Sequence, residues 1–406
     1  MGGGYTPKFD PDTGAKILPF RVVSNDSHIA ETNDLWPTRV DKQFRERAIH
    51  IESQEDGDWY YCDGHRILGT ASVGTQPGIF FEKDIEKRKT FTMGEGLRFE
   101  DALPGGYDPD ARMKDMDQDG IEKEVIYPTI GLVMWQGIVD SALLTAHCKG
   151  YNDYMAEFCG TYPDRLYALG TLNLDNVDDA VAELKRCHKL GLVGAMIPQS
   201  MPHRKYHLPD YEPLWATAAD LGMPLSLHIE TQRTTPEWGV LSPLADVPEA
   251  PGGNRITDPG FAGFHESELR AAVMQFIMSG VMERHSNLKV GIIELGLGWV
   301  HNFLQLMDGL YMKLGITSNR FKNAMIPSDF FHRQVFVGYQ EDELGIQLRD
   351  IIGVDNIQWG SDYPHPEGTY PFSREILDGN LRNCSLVEKS KIAGANCVKL
   401  YHLDDR

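Results

Sequence analysis

Short apolar runs alternate with amphipathic stretches along most of the chain. The apolar runs are continuous, which is typical of parallel strands covered on both faces. Eight of them are predicted strands, at residues 21–28, 124–127, 167–173, 193–197, 224–228, 288–293, 335–337 and 357–360. Most intervening stretches are predicted helices; in 176–190, for example, Val177, Val181 and Leu184 recur at helical spacing. Eight such units favour a closed (β/α)8 (TIM) barrel over a doubly wound sheet.

The remaining segments are predicted to be additions to this one barrel. Residues 1–20 are Gly-rich and polar and are expected to be a flexible leader, whereas 21–406 are expected to form a single barrel. Residues 33–112 mix charges, aromatic side chains and glycines without a regular period, so we expect an irregular N-terminal insertion or lid. A second insertion is expected at 231–265, which carries several prolines and glycines.

Charge and composition narrow the possible partners. The chain has 39 basic and 59 acidic residues, a formal charge of −20. Such a surface repels phosphate, so binding to nucleic acid or to an anionic membrane is not expected. No apolar run is long enough for a transmembrane helix, and the six cysteines form no CxxC pair. The glycine motifs of nucleotide sites are missing as well. We therefore expect a cytoplasmic protein with reduced thiols and a small-molecule substrate.

The ends of the predicted strands carry the candidate chemistry, because active sites of (β/α)8 barrels lie at the carboxyl ends of the strands. The metal-binding or titratable residues there are Asp26, His28, His228, Glu294, Asp362 and His365. Taken singly, a strand-end aspartate often caps a turn, and a strand-end histidine often bonds to a carbonyl. Together they favour a divalent metal, since imidazole and carboxylate ligands suit zinc, iron and manganese.

Four of these residues form the predicted ligand set. Asp26 and His28 are two positions apart on one strand, so their side chains point to the same side. We expect these two, His228 and Asp362 to bind one divalent metal, with zinc as the first expectation and manganese or iron as alternatives. Glu294 is predicted to be a fifth ligand, or an acid or base.

Substrate contacts are less specific. His365 either contacts the substrate or makes a supporting bond to a carbonyl. Arg66 and Arg88 either bind a substrate carboxylate or are solvated surface residues. Several aromatic residues either line a pocket for a flat substrate or belong to ordinary packing; they are Trp59, Tyr60, Tyr61, Tyr127 and Trp299.

Several motifs resemble those of the amidohydrolase-related (amidohydrolase 2) family, over about residues 22–402. The most specific motif is Gly-Ser-Asp-Tyr-Pro-His-Pro-Glu-Gly at 360–368. The supporting motifs are Asp26-Ser-His28, Asp119-Gly-Ile, Tyr127-Pro-Thr129, Asp210-Tyr-Glu-Pro-Leu-Trp215, Leu225-Ser-Leu-His228 and Glu294-Leu-Gly-Leu-Gly-Trp299.

The resemblance implies a distorted TIM barrel with one divalent metal held by Asp26, His28, His228 and Asp362. The family includes the aminocarboxymuconate semialdehyde, γ-resorcylate and 5-carboxyvanillate decarboxylases, and its members commonly form dimers, so a homodimer is expected. The sequence departs from the family in three ways. The insertions at 33–112 and 231–265 make it longer than typical decarboxylases, and the other two departures concern site residues. Residues 193–198 lack the lysine that bridges two metals in binuclear amidohydrolases, and Glu294 stands where the decarboxylases usually carry a histidine.

The leading hypothesis is a mononuclear metal enzyme that cleaves a carbon–carbon bond in a small carboxylated aromatic or conjugated substrate, by decarboxylation or by hydrolysis. Glu294, His228 and Asp362 are the predicted catalytic residues. The predicted substrate contacts are His365, Trp299, Tyr127 and Arg66. One alternative is an amide or lactone hydrolase that attacks with metal-activated water, and another is a barrel that binds a ligand without turnover.

Overall fold

An eight-stranded parallel sheet, nearly closed into a barrel, forms the centre of the protein and confirms the predicted (β/α)8 fold. The computed structural model describes residues 8–9, 16–91, 96–233, 261–313, 321–322 and 324–405. Each barrel strand pairs with the next one along the chain. The strands, numbered here in chain order, are β1 Val23–His28, β2 Lys123–Tyr127, β3 Leu166–Thr171, β4 Gly194–Ile197, β5 Leu225–His228, β6 Val290–Ile293, β7 Val335–Tyr339 and β8 Ile357–Trp359.

The seam between the first and last strands is closed just beyond β8. The backbone N–H of Asp362 donates to the carbonyl of Asp26 at 2.8 Å, and the N–H of His28 donates to the carbonyl of Tyr363 at 2.5 Å. The pairing of β1 with β2 is irregular between Ser24 and Ser27. The seam therefore brings the predicted ligand residues of the first and last strands side by side.

Helices surround the sheet, as the amphipathic stretches predict. Val177–Leu190, for example, begins after Asn176, whose side chain accepts from the N–H groups of Asp178 and Asp179. No described helix has the length and apolarity that crossing a bilayer requires. The α-helices are Leu35–Arg39, Ile85–Arg88, Pro109–Asp119, Ile130–Gly137, Ser141–Cys159, Val177–Leu190, Glu212–Leu221, Phe261–Met278, Val281–Arg284, Val300–Lys313, Pro327–Gln334, Glu343–Gln347, Arg349–Ile352, Ser373–Asn380, Leu386–Ser390 and Asn396–Tyr401.

The segment 33–112 is more regular than the sequence predicts. It contains a three-stranded antiparallel sheet of His50–Gln54, Gly57–Cys62 and His65–Gly69. The first of these strands is polar and partly exposed, so it lacks the apolar alternation on which the prediction relied. The dipeptide Asp63-Gly64 could have predicted the hairpin between the last two strands, because Asp-Gly is a preferred two-residue hairpin turn. Both residues have positive φ in the structure, as this turn requires.

The other appended segments are only partly described. Most of the predicted leader and most of the predicted insertion at 231–265 lie outside the described residues. The described part of the leader contributes a short antiparallel pair, Lys8–Phe9 with Lys16–Ile17. All six cysteines are buried and unpaired, in agreement with the expectation of free thiols.

Aromatic packing holds two helices together on the outside of the barrel. The Trp215 ring lies 5.3 Å from Tyr211 and 4.8 Å from Phe276, measured between ring centroids. All three side chains are fully buried. This contact attaches helix Phe261–Met278 to helix Glu212–Leu221, which directly precedes β5.

A buried histidine attaches the start of the insertion to the barrel helices. His147 Nε2 accepts from the N–H of Ile49 at 3.0 Å, and its Nδ1 lies 2.8 Å from the carbonyl of Leu143. Burial lowers the pKa of His147 from 6.5 to about 4, since it disfavours the charged imidazolium. The neutral ring is thus part of the native contact.

We predict a pH-dependent loss of stability at this contact. Between pH 6.5 and about 4 the unfolded chain binds a proton at His147 that the native protein does not, so stability falls as the pH falls. His147→Gln should remove up to about 3 kcal/mol of this pH-dependent loss, at 1.36 kcal/mol per pKa unit. Urea unfolding at pH 7 and pH 4.5 measures it, and the exposed His188→Gln is the control. An unchanged pH dependence in His147→Gln contradicts the assignment.

Candidate metal centre

The four predicted ligands meet at the carboxyl end of the barrel. His28 Nε2 lies 3.4 Å from Asp26 Oδ1 and 3.1 Å from Asp362 Oδ1. His228 Nε2 lies 3.7 Å from Asp26 Oδ1. These side chains come from β1, from the end of β5 and from the residue that closes the seam after β8, and at most 2% of any of them is exposed.

Each of these side chains presents an atom without a hydrogen bond. The atoms are Asp26 Oδ1, His28 Nε2, His228 Nε2 and Asp362 Oδ2. The other nitrogen of each imidazole is occupied: His28 Nδ1 lies 2.7 Å from the carbonyl of Pro128 and His228 Nδ1 lies 3.1 Å from that of Ile229. Because carbonyls only accept, each Nδ1 carries a proton, and each Nε2 is the ring nitrogen left to face the centre.

This arrangement fits a divalent metal. Buried polar atoms without a partner are costly, and here one nitrogen of each imidazole and oxygens of both carboxylates lie in one cluster around the His28 ring. A cation in this cluster would satisfy such atoms and offset the repulsion between the carboxylates. Asp362 offers a ligand atom within 4.8 Å of those of His28 and His365. The donor set suits zinc, manganese or iron.

Glu294 follows β6 and lies on the same rim. Its Oε2 is 3.2 Å from His228 Nε2, and 12% of the side chain is exposed. Asp26, His28, His228 and Glu294 each offer a ligand atom within 4.8 Å of the others. Burial, and after it the nearby carboxylates of Asp362 and Asp26, raise the pKa of Glu294 well above its usual value.

Two acidic residues of the centre occupy the left-handed region of the backbone. The φ angle is 62° at Glu294 and 55° at Asp362. Non-glycine residues adopt this conformation at a cost, and such residues cluster at functional sites. Although burial opposes it, the imidazoles of His365 and His28 hold the pKa of Asp362 below its usual value.

His365 lies beside the centre and bonds to a carboxylate and a hydroxyl, whereas a substrate contact or a carbonyl bond was expected. Its Nδ1 lies 2.9 Å from Asp362 Oδ1, its Nε2 lies 2.9 Å from the hydroxyl oxygen of Thr129, and its ring stacks on that of His28 at 4.0 Å. Glu367 also offers an oxygen within 4.8 Å of ligand atoms of Glu294 and Asp362. The rim of the centre is therefore rich in carboxylates.

The two aromatic residues predicted as substrate contacts, Tyr127 and Trp299, have different surroundings. The Tyr127 ring lies 5.3 Å from that of His228, and its hydroxyl donates to Ser226 Oγ inside the barrel. Trp299 packs on Phe303 and donates to the carbonyl of Gly296.

Arg66 is not brought to the centre. Its guanidinium bonds to Asp56 at 2.8 Å and covers the Trp59 ring in the three-stranded sheet. Of the remaining candidates, Arg88 is exposed at the end of a short helix, and Tyr60 donates to the carbonyl of Glu31.

Two functional candidates were missed by the sequence reasoning. His265 is buried, its Nδ1 lies 2.9 Å from Gln199 Oε1, and burial together with nearby His228 lowers its pKa to about 4. Glu31 is fully buried and accepts from the N–H groups of residues 129–131. It thereby fixes the turn that bonds both His28 and His365. His265 could have been found from the sequence, because it is a histidine at the end of the long loop after β5. No sequence pattern marks Glu31.

Comparison with known proteins identifies the family to which the sequence is similar. The family described as Amidohydrolase matches residues 37–403. A γ-resorcylate decarboxylase of Rhizobium radiobacter is 26% identical over 73% of this chain and 88% of its own length.

Solved structures share the fold. An amidohydrolase from Mycobacterium avium subsp. paratuberculosis K-10 is 21% identical, with a TM-score of 0.71 over 95% of this chain and 98% of its own. A dihydroxybenzoic acid decarboxylase from Polaromonas sp. JS666, with bound manganese and the inhibitor 2-nitroresorcinol, is 18% identical, with a TM-score of 0.59 over 95% of this chain and 98% of its own.

We predict that a divalent cation stabilises the protein through this centre. Mn²⁺ or Zn²⁺ added to chelator-treated protein should raise the melting temperature, since a ligand at one hundred times its Kd stabilises by about 2.7 kcal/mol. Asp362→Asn should abolish most of the shift, whereas Asp355→Asn, at a surface pair with Lys391, should retain it. Differential scanning calorimetry measures this, and an equal shift in Asp362→Asn rejects the ligand assignment.

Proposed function

The chain belongs to the amidohydrolase family, and from this premise we propose that it is a metal-dependent decarboxylase of small carboxylated aromatic compounds. The observation that carries the proposal is the set of four buried ligand atoms without hydrogen bonds, with the carboxyl group of Glu294 beside it. The activity in the name of the γ-resorcylate decarboxylase relative supports the reaction class. The dihydroxybenzoic acid decarboxylase of the same fold, which holds manganese, supports the metal.

The proposed reaction replaces a ring carboxylate by a proton. A proton from an acid bonds to the ring carbon that carries the carboxylate. The bond from that carbon to the carboxylate then breaks, its electron pair restores the aromatic ring, and CO2 leaves. The sum is ArCO2⁻ plus H⁺ to ArH plus CO2, so no oxidant or second substrate is required.

Each residue of the centre has a proposed task. Asp26, His28, His228 and Asp362 hold the cation, which when bound polarises the oxygens of the substrate and fixes their position. Glu294 donates the proton, because it reaches the rim, and burial and after it the neighbouring carboxylates favour its protonated form. His365, bonded to Thr129 and stacked on His28, keeps Asp362 oriented.

We further propose one metal per chain. Binuclear amidohydrolases often carry a bridging lysine on the fourth strand, and β4 with its flanks reads Val-Gly-Ala-Met-Ile-Pro at 193–198, without a lysine. Zinc remains the first expectation and manganese the second. A homodimer and a cytoplasmic location are also proposed. The dimer rests on the resemblance to the family, and the location is supported by the six unpaired thiols.

We predict CO2 release from γ-resorcylate or a related carboxylated phenol by the metal-loaded protein. In D2O the product should gain one deuterium at the carbon that lost the carboxylate, as mass spectrometry detects. Glu294→Gln should lower kcat by about 10²–10⁴-fold, the usual range for a lost general acid, with metal content unchanged. The exposed Glu341→Gln is the matched control.

Other outcomes would change the reaction class. Oxygen-18 from labelled water in an organic product, without CO2, identifies a hydrolase of C–C, amide or lactone bonds. Metal binding without turnover across a broad panel of carboxylated aromatics, amides and lactones favours a ligand-binding barrel.

We predict a complex of two chains with two metal ions in native mass spectrometry of protein purified without chelator. Elemental analysis of the same sample should give about one ion per chain and identify the metal. Two ions per chain would refute the mononuclear proposal, and a single chain carrying one ion would refute only the dimer.

A further inference from the structure

Helix Pro109–Asp119 packs behind the loop that carries Asp362 and His365. The strand-eight loop, defined here as residues 360–371, follows β8 and closes the barrel seam. The helix presents Arg112, Asp115 and Asp119 at spacings of three and four residues, so they lie on one face. All three make polar contacts with the loop or with the elements that flank it.

Asp115 bonds to two tyrosines of this loop. The hydroxyl of Tyr363 donates to its Oδ2 at 2.6 Å, and the hydroxyl of Tyr370 donates to its Oδ1 at 3.2 Å. Tyr363 is the residue directly after Asp362. One carboxylate thus clamps the loop at two points, seven residues apart along the chain.

Arg112 ties the same helix to the first barrel strand. It is fully buried, donates to the carbonyl of His28 at 2.9 Å and to Glu124 at 2.7 Å, and lies 4.9 Å from the centre of the Tyr363 ring. The helix therefore contacts the backbone of one ligand, His28, and the neighbour of another, Asp362.

Gly105 packs closely against the contact between Asp115 and Tyr363. A Cβ on Gly105 would lie 2.2 Å from Asp115 Oδ2 and 2.3 Å from the hydroxyl oxygen of Tyr363. At the other end of the helix, Asp119 accepts from both the hydroxyl and the N–H of Ser373, just past the loop. The loop is held along its length and not at Asp115 alone.

We propose that Asp115 is a positioning residue for the metal centre, acting on Asp362 through the hydroxyl of Tyr363. Asp362 adopts a φ of 55°, so its carboxylate keeps its direction only if the flanking backbone is restrained. The N–H of Asp362 donates to the carbonyl of Asp26, and the hydroxyl of Tyr363 donates to Asp115, so this backbone is restrained on two sides. The proposal rests on the metal centre of the proposed function but not on the identity of the substrate.

The test is a double-mutant cycle on metal affinity. Asp115→Asn and Tyr363→Phe should each weaken Mn²⁺ or Zn²⁺ binding by about ten- to a hundred-fold, the range typical of lost supporting bonds around a metal. The double variant should be no weaker than the more affected single variant, because Asp115→Asn weakens and Tyr363→Phe removes the same hydrogen bond. Competition with a chromophoric chelator measures Kd, and calorimetry of the metal-free proteins measures their own stability.

Asp117→Asn is the matched control, since Asp117 lies on the same helix but bonds to Arg165 at the surface. It should bind metal like the wild type. Unchanged Kd in Asp115→Asn, or a loss that adds fully to that of Tyr363→Phe, overturns the proposal. If Asp115→Asn does not fold, Tyr363→Phe alone tests the proposal. An unchanged metal Kd with a lower melting temperature in that variant would show that the bond supports only packing, which overturns the proposal. A wild type that binds no metal instead refutes the proposed function, so the two failures are distinguishable.

Discussion

The site depends on one constraint: the fold holds two imidazoles and two carboxylates close together in a buried cluster. Asp26, His28, His228 and Asp362 are almost completely buried, and each has at least one atom without a hydrogen bond. Such an arrangement is unfavourable without a cation, and it persists only because the surrounding fold determines it. The barrel supplies that determination by fixing each side chain at the end of a strand.

Support for the centre comes from elements outside the barrel strands. Glu31 fixes the turn at 128–131, which sets the proton position on His28 and bonds to His365. Helix Pro109–Asp119 holds the strand-eight loop from behind. Both supports come from the segment between β1 and β2: Glu31 lies just before the predicted insertion at 33–112, and most of the helix lies just after it.

The strand pattern, the fold class and the convergence of the candidate ligands were all predictable from the sequence. Parallel strands leave continuous apolar runs, and the rule that chemistry lies at strand ends then selects His228 and Asp362. Arg66 was misleading because an arginine has no local signal that separates a surface pair from a substrate contact. Glu31 was invisible because its partners are backbone N–H groups almost a hundred residues away. Long-range polar contacts of this kind carry no periodicity.

The order of the strands has a consequence for how the protein acquires its metal. Asp26 and His28 lie in the first strand of the barrel, and Asp362 lies beyond the last, yet they meet across one seam. During synthesis on the ribosome, more than three hundred residues are added between His28 and Asp362. In the proposed ligand set, therefore, the last member joins only when the seam closes, and a chain that stops before the seam lacks Asp362.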